Sequence, residues 1–193
     1  MQSVGIFDKH AFMLLLYVLG MGSEKMIIEK KLICLDIVGD NKQNIINNLS
    51  EVAFQNGKIN DLEAYRNAVY KREEEFSTAL GYLVAMPHGR SNGVNEPFVV
   101  FGRCKDEIVW DENEIKLIFM IGIPFQNRDK THMKILANIS RKLIDDSFRE
   151  SLLSAQNQDE IFGTSIYLGP VKQRNVSKIT TVLINTDNRC NLY

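Results

Sequence analysis

Short apolar runs alternate with amphipathic segments along most of this chain, and this alternation limits its possible folds more than any other feature. The apolar runs have the length and composition of strands at residues 31–38, 83–86, 97–103, 107–110 and 115–123. Apolar residues recur at helical spacing after Asp40, Asn60 and Asp129, which we predict to cap three helices, and two shorter helices are expected at 146–153 and 158–162. Interleaved strands and helices pack in layers, so the sequence predicts an α/β (α+β) fold: a three-layer sandwich in which helices flank both faces of a mixed parallel and antiparallel β-sheet.

The charge balance of the chain is not that of a nucleic-acid-binding protein. The 193 residues carry a formal net charge of −1, with basic and acidic residues interspersed, and the charged run at 71–75 is predicted to be mostly a solvated helix end. The three cysteines, Cys34, Cys104 and Cys190, are odd in number and far apart, so neither a disulfide framework nor a zinc site is predicted. Reduced thiols of this kind are typical of a cytoplasmic protein.

The two ends of the chain differ from its middle. Residues 11–21 form an apolar block of about half the ~20 residues that a membrane-spanning helix needs, so direct membrane insertion is not expected. A signal peptide would need a small-residue cleavage site after this block, which the sequence lacks. The alternatives are a packing or homo-oligomer-forming segment, or residues outside the domain. We therefore predict an N-terminal apolar extension at 1–25, one domain at 26–163, and a linker with a C-terminal tail at 164–193.

His88 follows an apolar run in a setting that suits a reactive imidazole. Pro87 cannot continue a strand ladder, so we expect the strand to end there and His88 to stand in an exposed turn that Gly89 makes possible. Arg90 adds a cation nearby. Taken alone, this stretch favours a histidine that merely sits in a surface turn. His132, in the first turn of the helix after the last strand, is expected at the same edge of the sheet, and this coincidence favours a functional site.

Several motifs, in order and at characteristic separations, resemble the fructose/mannitol-type (type-2) enzyme IIA domain of the bacterial phosphoenolpyruvate-dependent sugar phosphotransferase system, and especially its fructose-specific members. The resemblance covers about residues 26–163 and is carried by Arg72-Glu73, Ser77-Thr78, Ala85-Met86-Pro87-His88-Gly89-Arg90-Ser91-Asn92-Gly93-Val94, Trp110, His132-Met133-Lys134-Ile135-Leu136 and Leu143-Ile144-Asp145-Asp146. Two positions depart from the family pattern, since Ala79 and Leu83 stand where glycine is common.

The resemblance implies a phosphohistidine relay that needs no cofactor and no metal. His88 matches the histidine that accepts a phosphoryl group from the phosphocarrier protein HPr and passes it to a cysteine of a IIB domain. His132 matches the family's second active-site histidine and Arg72 its arginine, and both would stabilise charge on the phosphoryl oxygens. The hydroxyl of Thr78 would bond the phosphoryl group or the ring, and Arg90 would support the site. From the residues alone, each of these side chains also has an ordinary structural use.

The expected function is the uptake and phosphorylation of fructose or a related sugar through this relay. A regulatory interaction module on the same fold, whose phosphorylation state is read by a sensor or transcription regulator, is the alternative. A metal site at His88 and His132 is disfavoured because no carboxylate or cysteine is spaced to complete it. Residues 185–193 lack the phosphate-binding loop of a IIB domain, and Cys190 followed by Asn191 does not replace it. A separate IIB domain or subunit is therefore the expected partner.

Overall fold

The computed structural model of the chain describes residues 28–126 and 131–164, apart from the side chains of Thr131 and His132. A 3₁₀ turn at Lys30–Leu32 precedes the strands β1 (Ile33–Ile37), β2 (Ala79–Gly81), β3 (Leu83–Ala85), β4 (His88–Ser91), β5 (Phe98–Trp110) and β6 (Asn113–Pro124). The helices of these ranges are α1 (Lys42–Gln55), α2 (Leu62–Glu75), α3 (Thr131–Leu143), α4 (Asp146–Ser154) and α5 (Gln158–Gly163). In this part of the chain, every helix is too short or too polar to cross a membrane. The predicted cap Asp129, the apolar block at 11–21 and the tail from residue 165 lie outside the described residues.

The strands form one mixed sheet in the order β1-β5-β6-β3-β2, with β4 also paired to β6. β5 and β6 make a long antiparallel hairpin at the centre, β1 runs parallel to β5, and β3 runs parallel to β6. β3 and β4 pair one after the other with β6, since Ala85 lies opposite Ile118 and His88 lies opposite Ile121. The mixed sheet that the sequence predicts is confirmed.

Two apolar cores lie on opposite faces of this sheet. α1 and α2 cover the first core, which contains Val100 and Ile118 from the sheet. α3, α4 and α5 cover the second core, which contains Val99 and Phe119. Neighbouring residues of a strand therefore point to different cores, which is why the central strands have nearly continuous apolar sequences. The three-layer arrangement is confirmed.

Two helices begin one residue later than the sequence pattern predicts. Asn41, not Asp40, caps α1, and its side-chain oxygen accepts a hydrogen bond from the backbone N–H three residues later at 2.9 Å. Asp61, not Asn60, caps α2 in the same way at 3.0 Å. The cap is the residue whose extended backbone aims its side chain at a free N–H, and apolar spacing alone does not determine that residue.

β5 is a single strand where the sequence pattern predicts two, at 97–103 and 107–110. Its pairing with β6 shifts register between Arg103 and Ile108, where the exposed polar residues 105–107 interrupt the apolar pattern. The interruption therefore marks an irregularity in the ladder and not the end of a strand.

Arg103 joins this strand to a helix end on the second face. The side chain is buried, and its Nη1 donates to the carbonyl oxygens of Leu152, Leu153 and Ala155 at 3.1, 3.0 and 2.6 Å. The last carbonyls of a helix have no partner within the helix, so the guanidinium satisfies the C-terminal end of α4.

Candidate functional site

His88 is the first residue of β4, at the point where that strand starts to pair with β6. Pro87 has no N–H to donate, but its carbonyl oxygen accepts a hydrogen bond from Ile121 at 2.9 Å, so the chain stays against β6. The side chain of His88 is half-buried. The prediction that His88 stands in an exposed turn is therefore wrong: β3 does end before Pro87, but a new strand starts at the histidine.

The hydrogen bonds of the His88 ring determine its tautomer. Nδ1 lies 2.9 Å from the carbonyl oxygen of Met86, and Nε2 lies 3.1 Å from Nε of Arg72. A carbonyl oxygen can only accept and a guanidinium nitrogen can only donate, so Nδ1 carries the proton and Nε2 carries the lone pair. The ring is neutral in this arrangement, and its nucleophilic nitrogen faces Arg72.

Arg72 comes from the last turn of α2, and the sequence resemblance already paired it with His88. Its Nη1 donates to the carbonyl oxygen of Phe76 at 2.8 Å, which holds the guanidinium at the helix end while Nε bonds the imidazole. A fixed cation thus lies beside the nitrogen that has the lone pair. Such a pair is suited to binding an anionic group between the imidazole and the guanidinium.

Gly89 allows α2 to pack closely against β4, which places Arg72 within hydrogen-bond distance of His88. A Cβ atom at Gly89 would lie 2.9 Å from Cγ2 and 3.0 Å from the backbone nitrogen of Val69, so only glycine fits between β4 and the helix. The prediction that Gly89 serves a turn is wrong, since it lies within β4. Its missing side chain instead places the end of α2 next to His88.

Glu73 is the member of the site that sequence reasoning missed. It is buried, whereas the charged run 71–75 was predicted to be mostly solvated. Its Oε1 accepts from Trp110 Nε1 at 2.7 Å and from the Thr78 backbone N–H at 3.0 Å, and its Oε2 accepts from the Thr78 hydroxyl at 2.6 Å. One sequence signal could have indicated this role: Glu73, Thr78 and Trp110 all belong to the motifs that resemble the family.

The remaining predicted site residues are Thr78, Arg90 and His132. Thr78 and Arg90 form hydrogen bonds to groups other than His88, and the side chain of His132 is not among those that the structure describes. The hydroxyl of Thr78 donates its one proton to Glu73. Nε and Nη2 of Arg90 donate to the carbonyl oxygen of Phe125 at 3.1 and 2.6 Å, and the guanidinium lies 5.1 Å from the centre of the Phe125 ring. His132 lies in the first turn of α3, and its side chain is not described. The roles of Thr78, Arg90 and His132 in transfer therefore stay predictions.

The turn between β2 and β3 shows what the departure at Leu83 means for the backbone. Gly81, Tyr82 and Leu83 have φ angles of 78°, 54° and 61°, which lie in the left-handed region. Glycine adopts this region without a steric cost, while other residues are disfavoured there by about 1–2 kcal/mol. Leu83 thus adopts a left-handed conformation that glycine, the residue common at this position in the family, would adopt without strain.

Solved structures of known proteins share this fold. Nitrogen regulatory protein IIA-Ntr from Neisseria meningitidis is 25% identical and superposes with a TM-score of 0.63, over 72% of this chain and 95% of that protein. Enzyme IIA of the mannitol system, from its complex with phosphorylated enzyme IIB of Escherichia coli, is 22% identical with a TM-score of 0.62, over 71% of this chain and 95% of its own. At that identity the second likeness shows the fold alone.

Two relatives carry sequence similarity over about two thirds of the chain. The PTS system fructose-specific EIIABC component of Bacillus subtilis (strain 168) is 33% identical over 138 residues, which is 70% of this chain but only 22% of that protein. The PTS system fructose-specific EIIA component of Haloferax volcanii is 31% identical over 134 residues, which is 68% of this chain and 86% of that protein. This chain thus spans about a fifth of the first relative and most of the second.

The family model "Phosphoenolpyruvate-dependent sugar phosphotransferase system, EIIA 2" matches residues 26–164. That range contains every strand and helix of the described structure, together with His88, Arg72 and Glu73. The chain therefore belongs to the EIIA 2 family of the phosphoenolpyruvate-dependent sugar phosphotransferase system.

Proposed function

We propose that this chain is a phosphohistidine relay in which Nε2 of His88 accepts a phosphoryl group from phosphorylated HPr and passes it to a cysteine of a IIB domain. The observation that carries the proposal is the pair of hydrogen bonds on the ring, from Nδ1 to Met86 and from Arg72 to Nε2. This tautomer leaves the lone pair on Nε2, the nitrogen beside the cation. A nucleophile and a charge-stabilising group at one place are what phosphoryl transfer requires.

The transfer step follows from these two contacts. A bond forms between Nε2 and phosphorus while the bond between phosphorus and the donor breaks, and the ring becomes a cation with its proton still on Nδ1. The carbonyl oxygen of Met86 then accepts a charge-assisted hydrogen bond, which stabilises the phosphorylated ring. Arg72 gives up its bond to Nε2, and its charge offsets that of the phosphoryl oxygens. Attack by a thiolate on phosphorus then breaks the N–P bond and restores the neutral ring.

The names of the relatives support the partner and the sugar in this proposal. The mannitol enzyme IIA structure is a complex with phosphorylated enzyme IIB, and both sequence relatives are fructose-specific. We accordingly propose a IIB domain as the acceptor, fructose or a related sugar as the final substrate, and the cytoplasm as the place of transfer. His132 is proposed to assist the transfer without carrying the phosphoryl group.

Mass spectrometry of the protein after incubation with phosphorylated HPr tests the proposal. We expect one phosphoryl group on wild-type protein, located on His88, and none on His88→Ala. The analysis is done at neutral or alkaline pH, since a phosphoramidate is acid-labile. Removing a half-buried ring with two hydrogen bonds should cost about 1 kcal/mol or somewhat more, so a thermal melt must show that the variant is folded.

His132→Ala is the matched control, because it removes a second imidazole and leaves the proposed acceptor. It should still be labelled, with transfer slower by about 10² if His132 supplies one stabilising hydrogen bond. Label on serine, threonine or His132 would contradict the proposal, as would no label from an HPr preparation that phosphorylates another IIA domain. Label on Nδ1 of His88, seen by NMR of the phosphorylated ring, would contradict the tautomer argument.

A regulatory module is the second candidate function, supported by the likeness to nitrogen regulatory protein IIA-Ntr. It requires the same phosphohistidine but no cysteine acceptor. A chase of the labelled protein with the IIB domain of a fructose system separates the two: loss of label to the IIB cysteine supports the relay. Label that stays on His88 while a sensor or regulator binds in a phosphorylation-dependent way supports the regulatory module.

A further inference from the structure

We infer that Glu73 is a positioning residue for phosphoryl transfer, acting through the partners of both nitrogens of the His88 ring; this inference rests on the proposed function. Glu73 is 6% exposed, and its carboxylate accepts hydrogen bonds from the Trp110 indole and from the backbone and hydroxyl of Thr78. A buried carboxylate costs free energy unless donors surround it, and here three neutral donors do so. The two bonds to Thr78 hold the segment that contacts the partners of His88, and the bond to Trp110 anchors the carboxylate to β5.

The first route runs through Arg72. The two bonds to Thr78 close the turn that follows α2, since Glu73 lies in the last helical turn and Thr78 lies two residues beyond the C-cap Phe76. The carbonyl oxygen of Phe76, inside that turn, accepts from Nη1 of Arg72 at 2.8 Å. A displaced turn would therefore displace the guanidinium, and with it the 3.1 Å contact between Arg72 Nε and His88 Nε2.

The second route runs through Met86. The carbonyl oxygen of Thr78 accepts from the backbone N–H of Met86 at 3.0 Å, and the carbonyl oxygen of Met86 accepts from Nδ1 of His88 at 2.9 Å. Glu73 thus fixes Thr78, and Thr78 in turn holds Met86, the residue after β3 that supplies the Nδ1 acceptor. Because that acceptor keeps the proton on Nδ1, the position of Thr78 bears on which nitrogen is nucleophilic.

The third bond anchors the carboxylate to the end of β5, one of the central strands of the sheet. Trp110 is fully buried at the end of β5, and its indole N–H reaches Glu73 at 2.7 Å. The β5-β6 hairpin is the longest pair of strands in the described structure. Glu73 therefore ties the end of α2, which carries Arg72, to the β5-β6 hairpin.

Glu73→Gln tests the inference, with Glu74→Gln as the matched control. Glutamine keeps the size of the side chain but replaces one acceptor oxygen by an NH₂ group, which cannot accept from Trp110 or Thr78. We expect single-turnover phosphorylation by phosphorylated HPr to slow by about tenfold or more. Glu74 is exposed on the same helix end, so Glu74→Gln removes the same charge and should change the rate by less than about twofold.

A double-mutant cycle separates positioning from a general structural effect. In an Arg72→Ala background the first route is already lost, so Glu73→Gln should slow transfer by less than about threefold more. Equal slowing in both backgrounds would overturn the route through Arg72, since only the route through Met86 remains when Arg72 is absent, and a rate loss that merely follows the unfolded fraction in a thermal melt would overturn both routes.

Trp110→Phe decides the case if Glu73→Gln does not fold. It keeps a buried aromatic ring but removes the Nε1–H donor together with part of the indole volume, and we expect phosphorylation to slow by about threefold or more in a folded protein. A wild-type rate in folded Trp110→Phe would overturn the inference. A wild-type protein that accepts no phosphoryl group would instead refute the proposed function, which keeps the two failures distinct.

Discussion

Gly89→Ala is expected to weaken both the fold and the site, because the added methyl group meets the backbone of α2. A Cβ atom there would lie 2.9 Å from Cγ2 of Val69, 3.0 Å from its backbone nitrogen and 3.4 Å from the carbonyl carbon of Ala68. Ordinary contact starts at 3.4 Å, so the approach to the backbone nitrogen is about 0.4 Å too close. A change of rotamer can move Cγ2 away but cannot move the nitrogen, so α2 itself must shift.

The size of the effect follows from that shift. Overpacking of a well-packed contact costs about 1–3 kcal/mol, which urea unfolding measures as a lower midpoint at an unchanged slope. Arg72 lies three residues after Val69 on the same helix, so the shift also disturbs its 3.1 Å contact with His88. A misplacement of about 1 Å can cost about 10² in rate, so we expect a few tenths of an ångström to slow phosphoryl acceptance by about three- to tenfold.

Two variants test this reasoning about Gly89. Gly163→Ala adds the same methyl group where, among the described residues, no atom outside its chain neighbours and its own helix backbone lies within 4 Å, so its stability should stay within about 0.5 kcal/mol of the wild type. Val69→Ala removes the clash with Cγ2 and leaves the clash with the backbone, but it also truncates a fully buried side chain. In a double-mutant cycle, Gly89→Ala should therefore cost somewhat less in the Val69→Ala background than in the wild type, without becoming neutral. Wild-type stability and rate in Gly89→Ala would refute the reasoning.

Two further predictions concern residues away from His88. Arg103→Met removes the donor for three carbonyl oxygens at the end of α4, so we expect a loss of about 1–3 kcal/mol, and an unchanged urea midpoint would contradict this. Burial raises the pKa of the thiols of Cys34 and Cys104 to about 11, so few thiolates exist at pH 8. In a Cys190→Ser variant, iodoacetamide should react slowly at pH 8 with folded protein, faster as the pH rises towards 11, and fast in denaturant; equal rates in folded and unfolded protein would disprove the shift.

The candidate site was predictable where a short motif carries it. Arg72 and His88 were paired through the family resemblance, and the structure brings them to 3.1 Å. Glu73 was not predicted as a buried residue, because a glutamate in a charged helix end is usually solvated and nothing local indicates that Trp110, 37 residues later, will donate to it. Gly89 was assigned to a turn because the local sequence does not distinguish a glycine that lets a helix pack closely from a glycine that bends the chain.

The sequence by itself determined the layers of this protein, because apolar periodicity is a local property and each strand or helix has to bury its own apolar face. It also located the break between β3 and β4, since Pro87 has no N–H to donate to a ladder. Only the tertiary structure decided which residues cap α1 and α2, that 97–110 is one strand, and which nitrogen of His88 keeps its proton. The caps depend on which backbone is extended where the helix begins, whereas the single strand depends on its pairing with β6 and the lone pair on Nε2 depends on Arg72 from a different element.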